Sequence, residues 1–342
     1  MVEVASPASD VPTHEVPQPG VPVLEVTGLC KHFPVRKGLL RRTVGHVYAV
    51  DGVSFTIGPA ETLGLVGESG CGKTTVGRTV MRLIEPTAGT IKLDGHDVTS
   101  LGKKEFRPYR RQLQIIFQDP FSSLNPRKRA GDIVGEPLKV HGIGTRSERR
   151  ERVAALFERV GLRRAQMDNF PHQFSGGQRQ RIGVARALAL NPKLIIGDEP
   201  VSALDVSIQA QVINLLMDLQ RDMKLSGTAV ILITHDLGVV AEMCDDVAVM
   251  YAGEVVERGS VDAIFRSPQH PYTEALLAAV PVPDPAIKRT KLVVQGDVPS
   301  PLNPPPGCRF HTRCPYMVPR CKEEVPALRE IEPGHHVACH LR

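Results

Sequence analysis

Short runs of apolar and β-branched residues recur along the chain, separated by polar turns or by longer amphipathic segments. Near the start, such runs predict strands at Val23–Thr27, Val47–Val50 and Val53–Ile57. The next strand, Thr62–Val66, leads through a glycine-rich loop into a helix predicted over Thr74–Ile84. Strands that alternate with helices in this way are typical of an α/β fold.

The rest of the chain continues this alternation. Further strands are predicted at Thr90–Gly95, Leu113–Gln118, Lys193–Gly197 and Val230–Thr234. Residues 131–190 are largely helical in pattern, and longer helices are predicted at Ser147–Val160, Gln178–Leu190 and Asp205–Lys224. These helices have apolar residues along one face, as expected for helices that pack on a core.

Composition limits the possible functions. The 342 residues are 42% hydrophobic and 23% charged with a net charge of +5, which is typical of a globular protein. With no Trp and 4% aromatic residues, an extended base-stacking surface is not expected. Residues 1–22 are predicted to be a disordered tail without the apolar core of a signal peptide. No apolar run approaches the roughly 18 residues of a membrane span, so any membrane role is expected to be peripheral.

A basic segment, residues 36–42, lies between the first strands. Its sequence, Arg-Lys-Gly-Leu-Leu-Arg-Arg, predicts a solvated hairpin loop. A nucleic-acid patch is the alternative, but no aromatic residues are interleaved with the four charges.

The loop after Thr62–Val66 has the clearest chemistry. The stretch Gly67-Glu68-Ser69-Gly70-Cys71-Gly72-Lys73-Thr74-Thr75 fits the Walker A pattern, with a strand before it and a helix after it. Backbone amides of such a loop wrap phosphates, the lysine reaches the outer phosphates, and the following hydroxyl binds Mg²⁺. The residues predicted to bind nucleotide are Gly67, Ser69, Gly70, Gly72, Lys73, Thr74 and Thr75.

A second stretch, Phe174-Ser175-Gly176-Gly177-Gln178-Arg179-Gln180, also predicts a phosphate site. Ser175 is a good helix cap, and the two glycines let backbone N–H groups approach an anion at the positive end of the following helix. The chain therefore carries two phosphate sites far apart in sequence, and their relationship requires an explanation.

Titratable side chains follow two of the predicted strands. Lys193–Gly197 closes on Asp198 and Glu199, which is the Walker B arrangement, and Val230–Thr234 is followed directly by His235. In P-loop sheets the carboxyl ends of the strands lie beside the phosphate loop. Asp198 is therefore predicted to bind the Mg²⁺ shell, and Glu199 to face the attacking water.

Together these residues resemble the ATP-binding subunits of ABC transporters over residues 23–342. Tyr48 is similar to the family's adenine-stacking aromatic residue, Gln118 to its glutamine after the second core strand, and His235 to its switch histidine. Residues 174–178 resemble its signature, and residues 202–205, which end in Asp205, resemble its D-loop. The resemblance implies ATP hydrolysis with four catalytic residues, Glu199 as general base, Lys73 neutralising charge, His235 positioning the γ-phosphate and Gln118 sensing it. It places Mg²⁺ on Thr74, Gln118 and Asp198.

The resemblance also implies a fold. The expected structure is an α/β P-loop ABC ATPase with a RecA-like mixed sheet core, an antiparallel β subdomain, a helical signature subdomain and a small Cys-containing C-terminal extension. The expected units are a tail at 1–22, an ATP-binding domain at 23–270 with its helical subdomain at about 100–190, and the extension at 271–342. In the family two ATPase domains pack head to tail. The signature residues Ser175, Gly176, Gly177 and Gln178 would then bind the nucleotide held by the partner's Walker A loop.

More narrowly, the chain is similar to the ATPases of oligopeptide/dipeptide importers. Residues 117–126, 268–273 and 296–301 carry that likeness. It implies a second ATPase subunit, with a paralogue and hence a heterodimer favoured, two transmembrane permease subunits and an extracytoplasmic solute-binding protein. The chain would lie on the cytoplasmic face of the membrane as a peripheral protein.

Other functions stay open as alternatives. Nickel and other small-solute importers share much of the C-terminal region, so the solute is undecided. A non-transport ABC ATPase that acts on nucleic acid is disfavoured, because the chain has one cassette and no long heptad segment. No nucleic-acid partner is expected. A P-loop GTPase or kinase would have no use for the serine-glycine-glycine run.

Four of the seven cysteines lie close to the C-terminus: Cys308, Cys314, Cys321 and Cys339. An intracellular chain would not normally hold structural disulfides, which favours a metal or cluster site. Their spacing differs from the C-x2-C of usual zinc sites and resembles peptide-importer ATPases, some of which hold a [4Fe–4S] cluster. The alternatives are zinc aided by His311, His335, His336 or His340, and buried reduced cysteines.

Overall fold

The computed structural model describes residues 20–38, 42–280 and 296–342. Its strands are β1 (Leu24–Lys37), β2 (Arg42–Ile57), β3 (Thr62–Val66), β4 (Ala88–Leu93), β5 (His96–Asp97), β6 (Leu113–Ile116), β7 (Leu194–Asp198), β8 (Ala229–Ile233), β9 (Asp246–Tyr251), β10 (Glu254–Ser260), β11 (Arg329–Glu332) and β12 (His335–Val337). Most of the predicted disordered tail lies outside the described residues.

The α-helices lie between these strands and after them. They are α1 (Lys73–Val80), α2 (Tyr109–Gln112), α3 (Pro120–Ser123), α4 (Ala130–Val140), α5 (Arg146–Arg159), α6 (Gly176–Leu188), α7 (Val206–Leu225), α8 (Leu237–Met243), α9 (Val261–Arg266), α10 (Pro271–Ala278) and α11 (Arg320–Glu323). Among the described residues, no helix combines the length and apolar character needed to cross a membrane.

Two sheets form the framework. The larger has the order β11-β12-β10-β9-β3-β8-β7-β6, and its strands β9, β3, β8, β7 and β6 run parallel. The smaller, β2-β1-β4-β5, is antiparallel throughout. The expected mixed core sheet and antiparallel β subdomain are both confirmed. Because parallel strands end at one edge of a sheet, the residues after β3, β6, β7 and β8 are brought together there.

The core has three hydrophobic clusters. One lies between the two sheets and contains Phe55, Leu65 and Ile231 among others. A second joins the helices around α5 and α6 to the other face of the large sheet. The predicted apolar stripe of α5 is buried there, since Val153, Leu156, Phe157 and Val160 are each at most 7% exposed. The third cluster packs the C-terminal region against β9 and β10.

Two sequence predictions need correction. The strands at either side of the basic hairpin are much longer than predicted, because β1 and β2 pair along most of their length with register shifts. Helix α1 ends at Val80 rather than Ile84, since Arg82 takes a φ of 52°, outside the right-handed helical region. Within the range of about 100–190, the strand predicted at Leu113–Gln118 is present as β6, the edge strand of the core sheet.

The C-terminal extension adds to the large sheet. Strand β12 pairs with β10, and β11 pairs with β12. This region also buries Phe310 against Tyr251 and Tyr272, with ring centroids 5.1 and 5.5 Å away. The C-terminal extension is therefore packed on β9 and β10, next to the edge of the sheet where the parallel strands end.

Candidate functional site

The Walker A loop connects β3 to α1, and its glycines are required by close backbone packing. A Cβ on Gly67 would lie 2.2 Å from the Met250 carbonyl oxygen, and one on Gly72 would lie 2.1 Å from the Ala49 carbonyl oxygen. Both glycines also have positive φ, which other residues rarely adopt. The loop is therefore held against β9 and β2, while Ser69 and Gly70 are exposed at its tip.

Lys73 begins α1 and turns its side chain back into the loop. Its Nζ donates hydrogen bonds to the carbonyl oxygens of Gly67, at 2.7 Å, and Glu68, at 2.9 Å. The residue is only 4% exposed. The ammonium group is thus held at the centre of the loop, where a phosphate would enter.

The predicted Mg²⁺ ligands on α1 and β7 contact each other directly. The Thr74 hydroxyl donates a 2.6 Å hydrogen bond to Asp198 Oδ1. Asp198 is 1% exposed, and burial raises the pKa of its carboxyl group although the Thr74 hydrogen bond opposes the shift. A buried carboxylate beside a hydroxyl is a donor set that suits Mg²⁺, so these two residues fit the metal.

Three predicted catalytic residues from different strand ends meet at Glu199. Gln118 Nε2 donates to Glu199 Oε2 at 3.1 Å, and His235 Nδ1 lies 3.7 Å from the same oxygen. Glu199 takes a φ of 46°, which is uncommon for a non-glycine residue and costs backbone strain. Its amide donates to the Ile233 carbonyl oxygen at 2.9 Å, which holds the residue in this conformation. Gln118 faces the carboxylate, so the direct Mg²⁺ contact expected for it stays a prediction.

The predicted nucleotide-stacking residue lies on the antiparallel sheet. The Tyr48 ring packs edge-on against His32, with centroids 4.6 Å apart, and its side chain is half-buried. The Tyr48 amide donates to the Pro301 carbonyl oxygen at 2.9 Å. The segment 296–301 of the C-terminal region therefore reaches this side of the site.

The second phosphate stretch forms the N-terminus of α6. The Ser175 hydroxyl accepts from the Gln178 amide at 3.3 Å, and Gln178 Oε1 accepts from the Ser175 amide at 3.0 Å, a reciprocal capping box. Gly177 packs so tightly that a Cβ would lie 2.4 Å from Ile208 on α7. Ser175 is exposed, as is the D-loop residue Asp205 that precedes α7. The signature therefore faces outward.

Helix α6 also contacts the residues on both sides of Gln118. Gln180 Nε2 donates to the Phe117 carbonyl oxygen at 3.4 Å, and the Arg186 guanidinium donates to the Ser123 carbonyl oxygen at 2.8 Å. Phe121 is 56% exposed, and the Arg179 guanidinium lies 4.3 Å from its ring centroid. A movement of the residues around Gln118 would therefore change the contacts of α6, the helix that begins with the signature.

The four C-terminal cysteines lie in one neighbourhood. The Cys308 amide donates to the Cys321 carbonyl oxygen at 2.8 Å. The pKa of the Cys308 thiol is raised to about 11, mainly by burial and also by the charges of Cys321, Cys339 and Cys314. Burial, followed by the charge of a neighbouring cysteine, likewise raises the pKa of Cys314 and of Cys339. All four are free thiols.

These cysteines are not gathered as single-ion ligands. In the part of the chain that the structure describes, the one group of three or more candidate ligand atoms within 4.8 Å of one another is Cys30, His32 and Asp51. One Zn²⁺ with Zn–S bonds of about 2.3 Å would draw its sulfurs to about 3.8 Å apart. No three of the four cysteine sulfurs lie within 4.8 Å of one another.

Several contacts at the site had no sequence signal. The Cys30, His32 and Asp51 group is one, and Arg309 forms an ion pair with Asp51, which disfavours a cation there. Arg313 forms another contact, an ion pair with Glu68 inside the Walker A loop. Both arginines are far in sequence from the residues that they contact, so no local pattern indicates these ion pairs.

Comparison with known families agrees with this geometry. A family model described as ABC transporter matches residues 50–202. A second, described as oligopeptide/dipeptide transporter, C-terminal region, matches residues 256–321. The first match contains the Walker A loop, the signature, and Asp198 and Glu199 at the end of β7, and the second contains three of the four clustered cysteines.

Whole-chain relatives and solved structures extend the comparison. The chain is 53% identical over 322 residues to the oligopeptide transport ATP-binding protein AppF of Bacillus subtilis, covering 93% of this chain and 97% of that one. It is 52% identical to the probable peptide ABC transporter ATP-binding protein y4tS of Sinorhizobium fredii, covering 94% and 90%. The dimeric post-hydrolysis structure of the ATP-binding cassette MJ0796, bound to ADP and Pi, is similar with a TM-score of 0.61 at 29% identity, covering 70% of this chain and 98% of that one.

Proposed function

The chain belongs to the ATP-binding proteins of ABC transporters, and we propose that it is the ATPase subunit that drives import of oligopeptides or dipeptides. The observation that carries the proposal is the match of residues 256–321 to the oligopeptide/dipeptide transporter C-terminal region. The C-terminal region shares a hydrophobic cluster with β9 and β10, and its strand β12 pairs with β10. It is therefore part of the ATP-binding domain's large sheet and does not form a separate unit.

ATP and Mg²⁺ are the ligands of the site. The Walker A amides and Lys73 bind the phosphates, and Tyr48 stacks on the adenine. Thr74 and Asp198 hold Mg²⁺, which when bound neutralises charge on the phosphates. The close Thr74–Asp198 contact supports this assignment, because it places both oxygen donors at one point beside the loop.

Hydrolysis requires a base that activates water beside the γ-phosphate. Glu199 takes the proton of the attacking water, since its carboxylate lies at the strand-end edge between Gln118 and His235. His235, which has a largely exposed side chain, positions the γ-phosphate. Gln118 contacts Glu199 and is three residues before Phe121. It is therefore suited to sense whether the γ-phosphate is present and to transmit this to the permease contact.

The signature acts on a second nucleotide. Ser175 is exposed at the N-terminus of α6, and it binds the γ-phosphate on another ATPase subunit together with the amides of Gly176 and Gly177. ATP then lies between two subunits, so binding closes the pair and hydrolysis opens it. We assign the second subunit to a paralogue, which makes the pair a heterodimer.

The remaining partners follow from the transport function. The helical subdomain at about 100–190 contacts two membrane permease subunits, and the exposed Phe121 of α3 lies at the contact. An extracytoplasmic solute-binding protein delivers the peptide. The chain lies on the cytoplasmic face of the membrane as a peripheral subunit.

A test of the proposal uses the complete complex in proteoliposomes. Wild-type complex is expected to accumulate a labelled peptide only with ATP inside and the solute-binding protein outside. In a direct binding assay, the solute-binding protein of this complex should bind peptides and not nickel. Nickel binding together with ATP-dependent nickel uptake, and no peptide uptake, would overturn the peptide assignment.

We further propose that Cys308, Cys314, Cys321 and Cys339 hold a [4Fe–4S] cluster. The thiols are soft ligands, the charges of neighbouring cysteines raise the pKa of Cys308, and no three of the four sulfurs lie within 4.8 Å of one another. When bound, the cluster would provide a structural cross-link within the extension. Anaerobically prepared protein should show visible charge-transfer absorbance and contain iron and sulfide. Colourless, iron-free protein would reject the cluster.

A further inference from the structure

We infer that Arg313 of the C-terminal extension positions the Walker A loop for ATP by binding Glu68 within that loop. The inference rests on the proposed function, because it assigns the extension a role in ATP binding at the same site. Arg313 is a positioning residue, since it acts on the nucleotide only through the loop.

The ion pair itself is bidentate and largely shielded. Arg313 Nη1 lies 2.8 Å from Glu68 Oε2, and Nη2 lies 3.1 Å from Oε1. The Arg313 side chain is 9% exposed and that of Glu68 is 31% exposed. The guanidinium also lies 5.8 Å from the Tyr251 ring centroid. Two parallel charged hydrogen bonds fix both the direction and the position of the carboxylate.

The main chain of Glu68 links this ion pair to the phosphate-binding lysine. The Glu68 amide donates to Tyr272 Oη at 2.8 Å, and its carbonyl oxygen accepts from Lys73 Nζ at 2.9 Å. The extension therefore holds the residue by its side chain and its amide, while the same residue holds Lys73. Few other conformations of the loop are compatible with all three contacts.

Arg313 also neutralises a charge that would oppose ATP. Glu68 is an acidic residue in a loop whose amides wrap a polyanionic triphosphate. Without the guanidinium, its carboxylate would repel the phosphates at short range, in a site partly shielded from water. Arg313 thus favours ATP in two ways, by ordering the loop and by cancelling the Glu68 charge.

A second contact of the extension supports the same arrangement. Arg309, four residues earlier, forms ion pairs with Asp51 and Glu254 and donates to the Ala252 carbonyl oxygen. These residues lie beside the Tyr48 side of the site. The turn that carries both arginines lies between Cys308 and Cys314, so the extension contacts the site at both its phosphate and its adenine side.

The test measures binding of the ATP analogue AMP-PNP with Mg²⁺ to the full chain by calorimetry, and ATPase kinetics of the complete complex. Arg313→Ala is expected to weaken AMP-PNP binding about tenfold, which is about 1.4 kcal/mol. It should raise KM for ATP similarly and change kcat by less than about twofold at saturating ATP. Arg313→Lys keeps the positive charge but cannot form the two parallel hydrogen bonds of the guanidinium, so its affinity for AMP-PNP should fall only about threefold.

The double variant Glu68→Gln with Arg313→Ala separates the inference from a general loss of stability. Because the repelling carboxylate is gone, it should bind AMP-PNP within about threefold of wild type, whereas a merely structural role would leave the loss unrescued. Arg320→Ala is the matched control, since Arg320 forms an exposed ion pair with Glu324 in the same extension. It should bind AMP-PNP like wild type.

Wild-type affinity in Arg313→Ala, or the same loss in Arg320→Ala, would overturn the inference. If Arg313→Ala does not fold, Arg313→Lys decides, and an unchanged affinity in that variant overturns it. A wild-type complex that binds AMP-PNP but imports no peptide would count against the transport function alone, because the comparison of variants depends only on nucleotide binding.

Discussion

The Thr74 hydroxyl donates a 2.6 Å hydrogen bond to the buried carboxylate of Asp198, and this contact joins the phosphate loop to the end of β7. Thr74 lies in the first turn of α1 and Asp198 is the last residue of β7, and each is predicted to bind Mg²⁺. Burial keeps the pKa of Asp198 above its ordinary value, so in the absence of metal the ionised carboxylate is held at a cost in folding free energy.

Asp198→Asn should therefore make the protein without ligands more stable and make it less active. The raised pKa means that the folded state binds this proton more tightly than the unfolded chain, so ionisation of Asp198 destabilises the fold as pH rises through that pKa. At pH 7 the variant should melt about 1–3 °C higher without nucleotide. Calorimetry with and without Mg²⁺ and ATP should also show that the stabilisation by Mg²⁺ is lost. A lower melting temperature without ligands would contradict the explanation.

Glu199→Gln should bind ATP normally and lose hydrolysis by about 10²–10⁴-fold. Glutamine has nearly the same shape, and its side-chain oxygen can still accept the hydrogen bond from Gln118. The measurement is single-turnover hydrolysis in a complex whose partner site has been inactivated. Glu158→Gln, an exposed substitution on α5, is the control and should hydrolyse ATP at the normal rate. Normal turnover in Glu199→Gln would exclude this residue as the base.

Ser175→Arg should impair the partner's nucleotide site and spare the site on its own chain. The larger side chain would occupy the exposed end of α6, where a γ-phosphate would bind. Hydrolysis at the partner site should fall about 10–100-fold, while AMP-PNP binding to the isolated chain stays normal. Ser147→Arg near the start of α5 serves as the control. Full-rate hydrolysis by the isolated monomer would show that the site is not shared.

His270 makes stability depend on pH. It is 2% exposed, it accepts from the Tyr272 amide at 3.1 Å as the cap of α10, and burial lowers its pKa to about 3. Because the unfolded chain takes up this proton at an ordinary pKa of about 6.5, stability is present above that pH and falls as the pH drops toward 3.

His270→Asn tests this pH dependence, because asparagine can cap the helix but does not titrate. Between pH 7.5 and 5.5, wild type should lose about 1.4 kcal/mol more unfolding free energy than the variant. Urea unfolding at both pH values measures the difference. An equal loss in the two proteins would show that other groups cause the pH dependence.

The sequence alone determined much of this protein, wherever the signal is local. The capping box of Ser175 and Gln178 and the strand-loop-helix at the Walker A motif involve residues close in the chain, and the structure contains both. The carboxyl ends of parallel strands share one edge, so the meeting of Gln118, Glu199 and His235 could also be expected from the order of the strands. The roles assigned to these residues stay predictions.

Only the tertiary structure decided which charged residues meet across the chain. Arg313 and Glu68 are 245 residues apart, and the sequence around each residue does not indicate that their side chains meet. Their contact depends on the C-terminal region joining the large sheet through β12 and burying Phe310 beside Tyr251. Burial of its apolar residues places the C-terminal region next to the Walker A loop, and Arg313 and Glu68 come within reach of each other only as a result of this packing. Local hydrogen bonds leave a pattern in sequence, whereas a pairing created by packing does not.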